Sequence, residues 1–417
     1  MIKPKSSIRL LRANKPSFCH LSCRFSVTME PHCAFKATIH LFKNIVYYHY
    51  NANERFGLDK ILHMKMVQIK PKAHIRKCYL SWILLLLFIS CQKDEPQPIQ
   101  PEESPVNVII DADLGSSTDD LFALMLLYRY ADMGLANILA VVVDRPGEDY
   151  YAVADVMNTY YGYPNVPIGI VRGNYDEPKK YIDYAGMFAG KDERVKNPLP
   201  RTCTNSSLLP DGYKLYRQML AMAKDKSVVI LSVGFLLCLN DLINSGPDEY
   251  SELDGKELLR RKVSHIYIMG GKFTKNDKAC YNFRTFCEQS YNFLTNIPSD
   301  IYVTFSPSET GDMVEYRPEV VLNDLADEPN NPIRLTYANF NCNTGQMMWD
   351  ALVVINAIKG DGLFGFSPWG DVTYDEKCIT TFLAAPDGHC RCQMPRSDAG
   401  WSTDILDEIR RMNTMSD

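Results

Sequence analysis

The stretch Asp111-Ala112-Asp113-Leu114-Gly115-Ser116-Ser117-Thr118-Asp119-Asp120 places four carboxylates within ten residues. Acids so crowded repel one another unless a cation neutralises them. An all-oxygen donor set of this kind selects a hard divalent ion, Ca²⁺ or Mg²⁺, over zinc. The simpler alternative is that Asp119 or Asp120 caps a following helix and Asp111 hydrogen-bonds within the loop. A cap requires one acid, however, and four are present. Histidine-rich zinc chemistry is excluded after residue 91, because only His265 and His389 of the eight histidines lie there. His265 falls in an apolar run and reads as a core residue, whereas His389 falls in a polar loop.

Short apolar runs rich in β-branched residues must hold this loop in place. Val106–Ile110, Ile138–Val143, Val166–Ile170, Val228–Val233, Val263–Met269 and Ile301–Phe305 read as buried, mostly parallel strands. Between them, Asp119–Tyr130, Tyr150–Tyr161 and Gly212–Ala223 carry apolar residues at helical spacing. The alternation predicts an α/β fold: a doubly wound, mostly parallel central sheet flanked by helices, in a single catalytic domain over 106–417. Ligands of such sheets bind at the carboxyl ends of strands, which is where the acidic loop begins.

The acidic loop resembles the Asp-x-Asp-x-Gly-x-Asp-Asp calcium loop of the inosine/uridine-preferring nucleoside hydrolases, with two extra residues before the final acid pair. Further along, Val228–Leu236 resembles that family's central strand and glycine turn, and Ile266-Tyr267-Ile268-Met269-Gly270-Gly271 resembles its strand ending in Met-Gly-Gly. Tyr291-Asn292-Phe293 stands where the family has Glu-Phe-Asn, and Trp349-Asp350-Ala351-Leu352 resembles its late His-Asp-Pro-Leu helix start. The resemblance implies a calcium-dependent enzyme that splits the N-glycosidic bond of ribonucleosides. It makes Asp113 a calcium ligand and the catalytic base, and Asp120, Asp350 and the Val233 carbonyl further ligands. It also makes Asp119 and Asn292 ribose contacts and Asp111 a support for the loop.

The sequence departs from the family at several of these places. Trp349 replaces a histidine, which removes a proton donor for the leaving base, and the indole could either stack on that base or belong to the core. Arg284 has the spacing of a ribose-contacting Asn, and Ser290 stands for the glutamate of Glu-Phe-Asn. Two other readings follow: a catalytically silent surface lipoprotein that binds nucleosides or ribose, and a haloacid dehalogenase-type phosphatase with Asp111 as nucleophile.

The chain has 417 residues, 46% hydrophobic and 23% charged, and a mean hydropathy of -0.20, as expected of a globular protein with a large core. Its formal charge of -5 is unevenly distributed. Residues 1–91 hold 15 basic and 3 acidic side chains, whereas the remainder holds 30 and 47, which argues against a nucleic-acid partner. Lys72, Arg76 and Lys77 precede the apolar run Trp82–Ile89 and then Ser90-Cys91, which resembles a bacterial lipoprotein signal over 64–91 with Cys91 as the acylated residue. Residues 1–63 read as an over-extended start ahead of Met64 and Met66. Residues 92–105, rich in Pro, Glu and Gln, read as a tether of the Bacteroidetes type. The expected setting is a lipid-anchored protein of the cell envelope, and the nucleoside hydrolase resemblance adds the possibility of homo-oligomers. Eight cysteines follow Cys91, with no pairing legible. Mass spectrometry of the membrane fraction should find a lipidated N-terminal peptide beginning at Cys91, and an intact peptide spanning Ser90 and Cys91 would contradict it.

Overall fold

Val106–Ala112 (β1) is buried from Val108 onward on both faces, as its nearly unbroken apolar sequence requires. It is an interior strand, third from one edge, of a ten-stranded sheet with Ala136–Val143 (β2), Ile168–Ile170 (β3), Val228–Ser232 (β4), Val263–Met269 (β5) and Tyr302–Ser306 (β6). Glu315–Tyr316 (β7) and Gln346–Met347 (β8) form a separate ribbon, while Gly365–Phe366 (β9), Gly370–Tyr374 (β10), Thr380–Ala384 (β11) and Cys390–Met394 (β12) complete the main sheet. The strand order is β11-β10-β12-β6-β5-β4-β1-β2-β3, with β9 on β12. Pairing is parallel from β3 across to β12 and antiparallel in the β9–β12, β10–β12 and β10–β11 contacts. This computed structural model describes residues 104–415 apart from 181, 196–197, 275–277 and 341–345. The expectations for 1–63, 64–91, Cys91 and nearly all of the tether lie outside the described residues.

All six strands read from the sequence are present, and so are the three helices, Asp119–Asp132 (α1), Tyr150–Tyr160 (α2) and Gly212–Met222 (α3). The antiparallel edge from β9 to β12 was not anticipated, because its polar, Cys- and Thr-containing segments carry no apolar run. No helix among the described residues is long and apolar enough to cross a membrane.

Side chains of β1 alternate between two cores. Val108, Ile110 and Ala112 pack with α1 and α2, whereas Ile109 packs on the other face with α3. Helix α1 is buried along nearly its whole length, including the two acids of its first turn, so it is held by packing all round rather than by one apolar stripe. On the sheet, β1 is followed in space by β2 on one side and β4 on the other. The chain therefore leaves β1 and β4 in opposite directions and opens a crevice at their carboxyl ends. There the backbones are locked together: Val233 N donates to the Asp111 carbonyl at 2.8 Å.

Gly234 completes that junction. A Cβ at this position would lie 2.6 Å from the Asp113 amide nitrogen and 2.9 Å from the Ala112 carbonyl carbon. Both are backbone atoms that cannot swing aside. Gly234→Ala should therefore cost about 1–3 kcal/mol, measured as a lowered denaturation midpoint, and a midpoint equal to that of the parent would show that the two loops are not tightly apposed.

Candidate metal and active site

At the mouth of the β1–β4 crevice, α1 contributes Asp119 and Asp120, and the helix Trp349–Lys359 (α4) contributes Asp350 from its own first turn. Carboxylate oxygens of these three lie within 4.8 Å of one another. They form a buried group that could hold a metal ion. Both helices direct their N-termini at the cluster, and the partial positive charge there favours the carboxylates, but it does not hydrogen-bond them all. Both oxygens of Asp120 are buried with no hydrogen-bond partner among the described residues. An acid used as a helix cap would have one, so the capping alternative fails for Asp120. An orphaned buried carboxylate costs several kcal/mol unless it is protonated or meets a cation, and this is the observation by which the residues fit a divalent ion. Asp119 accepts from Ser117 Oγ and, at 3.4 Å, from the Asp350 amide.

Burial, followed by the charges of Asp113 and Asp119, holds the Asp120 carboxyl well above its ordinary range. Burial and then Asp119, Asp120 and Asp113 do the same to Asp350. Asp113 stands beside this group and is 6% exposed. Its Oδ2 accepts from Arg145 Nη2 at 3.1 Å while Arg145 Nε donates to the Asp113 carbonyl at 3.0 Å. Burial nevertheless pushes Asp113 up to about 7, against the lowering pull of Arg145. Sequence reading missed Arg145, which is fully buried between the rings of Tyr150 and Phe235. The available signal was the charged pair Asp144-Arg145 that follows the apolar strand β2. Asp111 is brought elsewhere. Its oxygens accept from Tyr216 at 2.6 Å and Ser232 at 2.8 Å in the opposite core, which removes it as a phosphorylated nucleophile.

A cavity of about 450 Å³ opens over the cluster, within the range of small-ligand sites. Among its lining residues are Asp113, Asp119, Asp350, Val233, Trp349 and Arg284, all named from the sequence. The Val233 carbonyl accepts from Asn282 Nδ2 at 2.8 Å. Trp349 Nε1 donates to Asp312 Oδ1 at 2.9 Å and lies 3.2 Å from the Ser308 carbonyl, so its proton is already engaged.

The assignment of Asn292 to the ribose is corrected. Asn292 lies on the helix Cys287–Asn296 and donates to Asn240 at 2.7 Å, outside the cavity lining. The same tripeptide, Tyr281-Asn282-Phe283, occurs ten residues earlier, and it is this copy that enters the cavity. Ser290 is buried away from the cavity. His265 bonds to Thr304 at 2.8 Å, stacks on Tyr267, and is held down to about 3 by burial and Arg391. His389 lies beside β12, where its carbonyl accepts from Val303, and it does not line the cavity. Among the described cysteines none is disulfide-bonded, and the sulfurs of Cys287 and Cys378 are 2.7 Å apart.

An inosine-uridine preferring nucleoside hydrolase from Bacillus anthracis superposes with a TM-score of 0.54 at 15% identity, over 74% of this chain and 99% of that one. A purine-preferring ribonucleoside hydrolase from Gardnerella vaginalis gives 0.55 at 12%, over 74% and 100%. The chain has the nucleoside hydrolase fold. The type III effector XopQ, in complex with adenosine diphosphate ribose, gives 0.55 at 12%, over 75% and 94%. Neither a protein-family model nor a curated protein sequence matches the chain. In this nucleoside hydrolase fold the acid cluster and the cavity share the carboxyl end of the sheet.

The cluster has a pH signature. Burial raises Asp111 to about 6 and Asp113 to about 7 and holds Asp120 and Asp350 well above the ordinary range, while unfolded aspartates titrate near 4. The folded state therefore binds more protons, so these groups stabilise it at low pH and that contribution is lost as pH rises through about 6 to 7. A bound cation would offset the loss. The thermal midpoint of the metal-free protein should fall between pH 5 and 7.5, and millimolar Ca²⁺ should raise it more at pH 7.5 than at pH 5. Equal calcium shifts at both values would count against a cation at these carboxylates.

Proposed function

We propose that this protein hydrolyses the N-glycosidic bond of ribonucleosides, giving free base and ribose, with Ca²⁺ as its cofactor. The observation that carries the reading is the buried Asp120 carboxylate, without a hydrogen-bond partner among the described residues and grouped with Asp119 and Asp350, which line a cavity in a nucleoside hydrolase fold. Asp119, Asp120 and Asp350 would hold the ion, with Asp113 and the Val233 carbonyl beside them. When bound, such an ion orients the ribose hydroxyls and a water and makes that water easier to deprotonate.

Asp113 is the base. Its proton affinity is near neutrality, where a group can both lose and accept a proton, and Arg145 fixes its carboxylate from behind. Water adds to the anomeric carbon, its proton passes to Asp113, and the electrons of the glycosidic bond leave with the base. Asp119 accepts a ribose hydroxyl, and Asn282, rather than Asn292, presents an amide at the sugar. Trp349 walls the base pocket but has no proton to give, because its N–H is held by Asp312 and Ser308.

A second reading, binding of a nucleoside or ribose without turnover, is favoured by one feature: Asp113 is already paired with Arg145. The XopQ complex supports a ribose-bearing ligand on either reading. With Cys91 lipidated, the protein would act in the cell envelope.

The missing acid has a measurable consequence. Incubating the protein with Ca²⁺ and ribosides should release ribose from a nitrophenyl riboside faster than from inosine by about 10²–10⁴, the usual worth of a positioned general acid. Equal rates would show that another acid serves the leaving group, and tight binding with no ribose released would decide for the silent binder.

A further inference from the structure

Three cationic side chains line the cavity: Arg145, Lys272 and Arg284. Arg145 is spent on Asp113. Lys272 and Arg284 form no ion pair among the described residues. Yet Lys272 is half-buried at the cavity wall, where an unpaired ammonium is costly.

The backbone that carries Lys272 is held firmly. Thr380 Oγ1, nearly fully buried on β11, accepts from the Lys272 amide at 3.0 Å and donates to the Lys272 carbonyl at 3.0 Å. Glu309, from the segment Ser308–Gly311 beside this loop, is committed to backbone, since its Oε1 accepts the amides of Phe273 and Thr274 at 2.7 and 3.0 Å. Arg284 follows Asn282 on the helix Tyr281–Thr285. Its guanidinium lies 5.4 Å over the Tyr281 ring, and its Nη1 makes only a 3.3 Å contact to the Ala279 carbonyl. Both cations thus follow β5, and the acid loop follows β1. One strand, β4, separates them, which places the strand ends about 10 Å apart.

We propose that Lys272 and Arg284 form an anion subsite and that the riboside taken by this cavity carries a phosphate on C5′. The proposal rests on the reading above only in placing a ribose on the acid cluster. With the diol there and the base on C1′, C5′ is the sugar position left to carry a charged substituent across the width of two strands. A phosphate so placed meets two donors that form no ion pair among the described residues, and hydrogen bonds between ionised partners are the strong kind.

The test uses the full chain in Ca²⁺ and isothermal titration with ribose, ribose 5-phosphate, inosine and inosine 5′-monophosphate. Ribose 5-phosphate should bind at least about tenfold tighter than ribose. The ratio should fall to near one in the double variant Lys272→Gln with Arg284→Gln, and return in Lys272→Arg with Arg284→Lys, which separates loss of charge from loss of fold. The same advantage for the monophosphate over inosine identifies a nucleotide as the source, and an advantage confined to ribose 5-phosphate identifies a sugar phosphate. Equal affinities for ribose and ribose 5-phosphate, or a preference that survives the double Gln variant, would overturn the subsite. A phosphate preference without base release overturns the hydrolytic reading and leaves the subsite standing, whereas base release from inosine without the preference does the reverse.

Discussion

The structure is organised around mutual repulsion among buried carboxylates. Asp113, Asp119, Asp120 and Asp350 converge on one spot from two helix starts and a strand end, and a low-dielectric interior magnifies every charge among them. The Asp350 amide and a serine quiet Asp119, and a guanidinium quiets Asp113, but among the described residues no hydrogen bond reaches the Asp120 carboxylate. Such a cluster is tolerated only because the surrounding core is large enough to over-determine it. Helix α1 is buried along nearly its whole length, and α4 packs into the same core.

Arg145 changes the character of this site. It gives the cavity a permanent internal cation that neutralises one acid without a metal, and it leaves the other three as the group for a divalent ion. It also fixes the Asp113 carboxylate through two contacts to the same residue, one to side chain and one to backbone. A planar, forked donor can do this where lysine could not. Lys272 and Arg284 line the same cavity as Asp113, Asp119 and Asp350, so side chains of both charges border it.

The strand order explains why the acids and the cations share one cavity at all. β4 lies between β1 and β5, so the loops after β1, β4 and β5 emerge side by side. Gly234 lets the β4 loop pass against the Asp113 backbone, and the carbonyl of Val233 is thereby brought to the cavity with Asn282 beneath it.

Much of this was legible in the chain alone. Apolar runs of strand length, helical spacing between them and an acidic loop after the first strand specify a parallel α/β sheet with a charged site at its carboxyl edge, because burial on both faces demands such runs and crowded acids demand a purpose. Other features are decided by tertiary structure. Asp111 and Asp113 are two residues apart, yet only the latter reaches the cavity: Asp111 lies within β1 and bonds to Tyr216 of α3, whereas Asp113 lies beyond the strand's last residue, Ala112. The two copies of Tyr-Asn-Phe are identical as sequence, and only the packing of their helices separates Asn282 in the cavity from Asn292 against Asn240. Arg145 is 32 residues from its partner Asp113. No local pattern encodes that contact, which exists because the parallel pairing of β1 with β2 brings their carboxyl ends together.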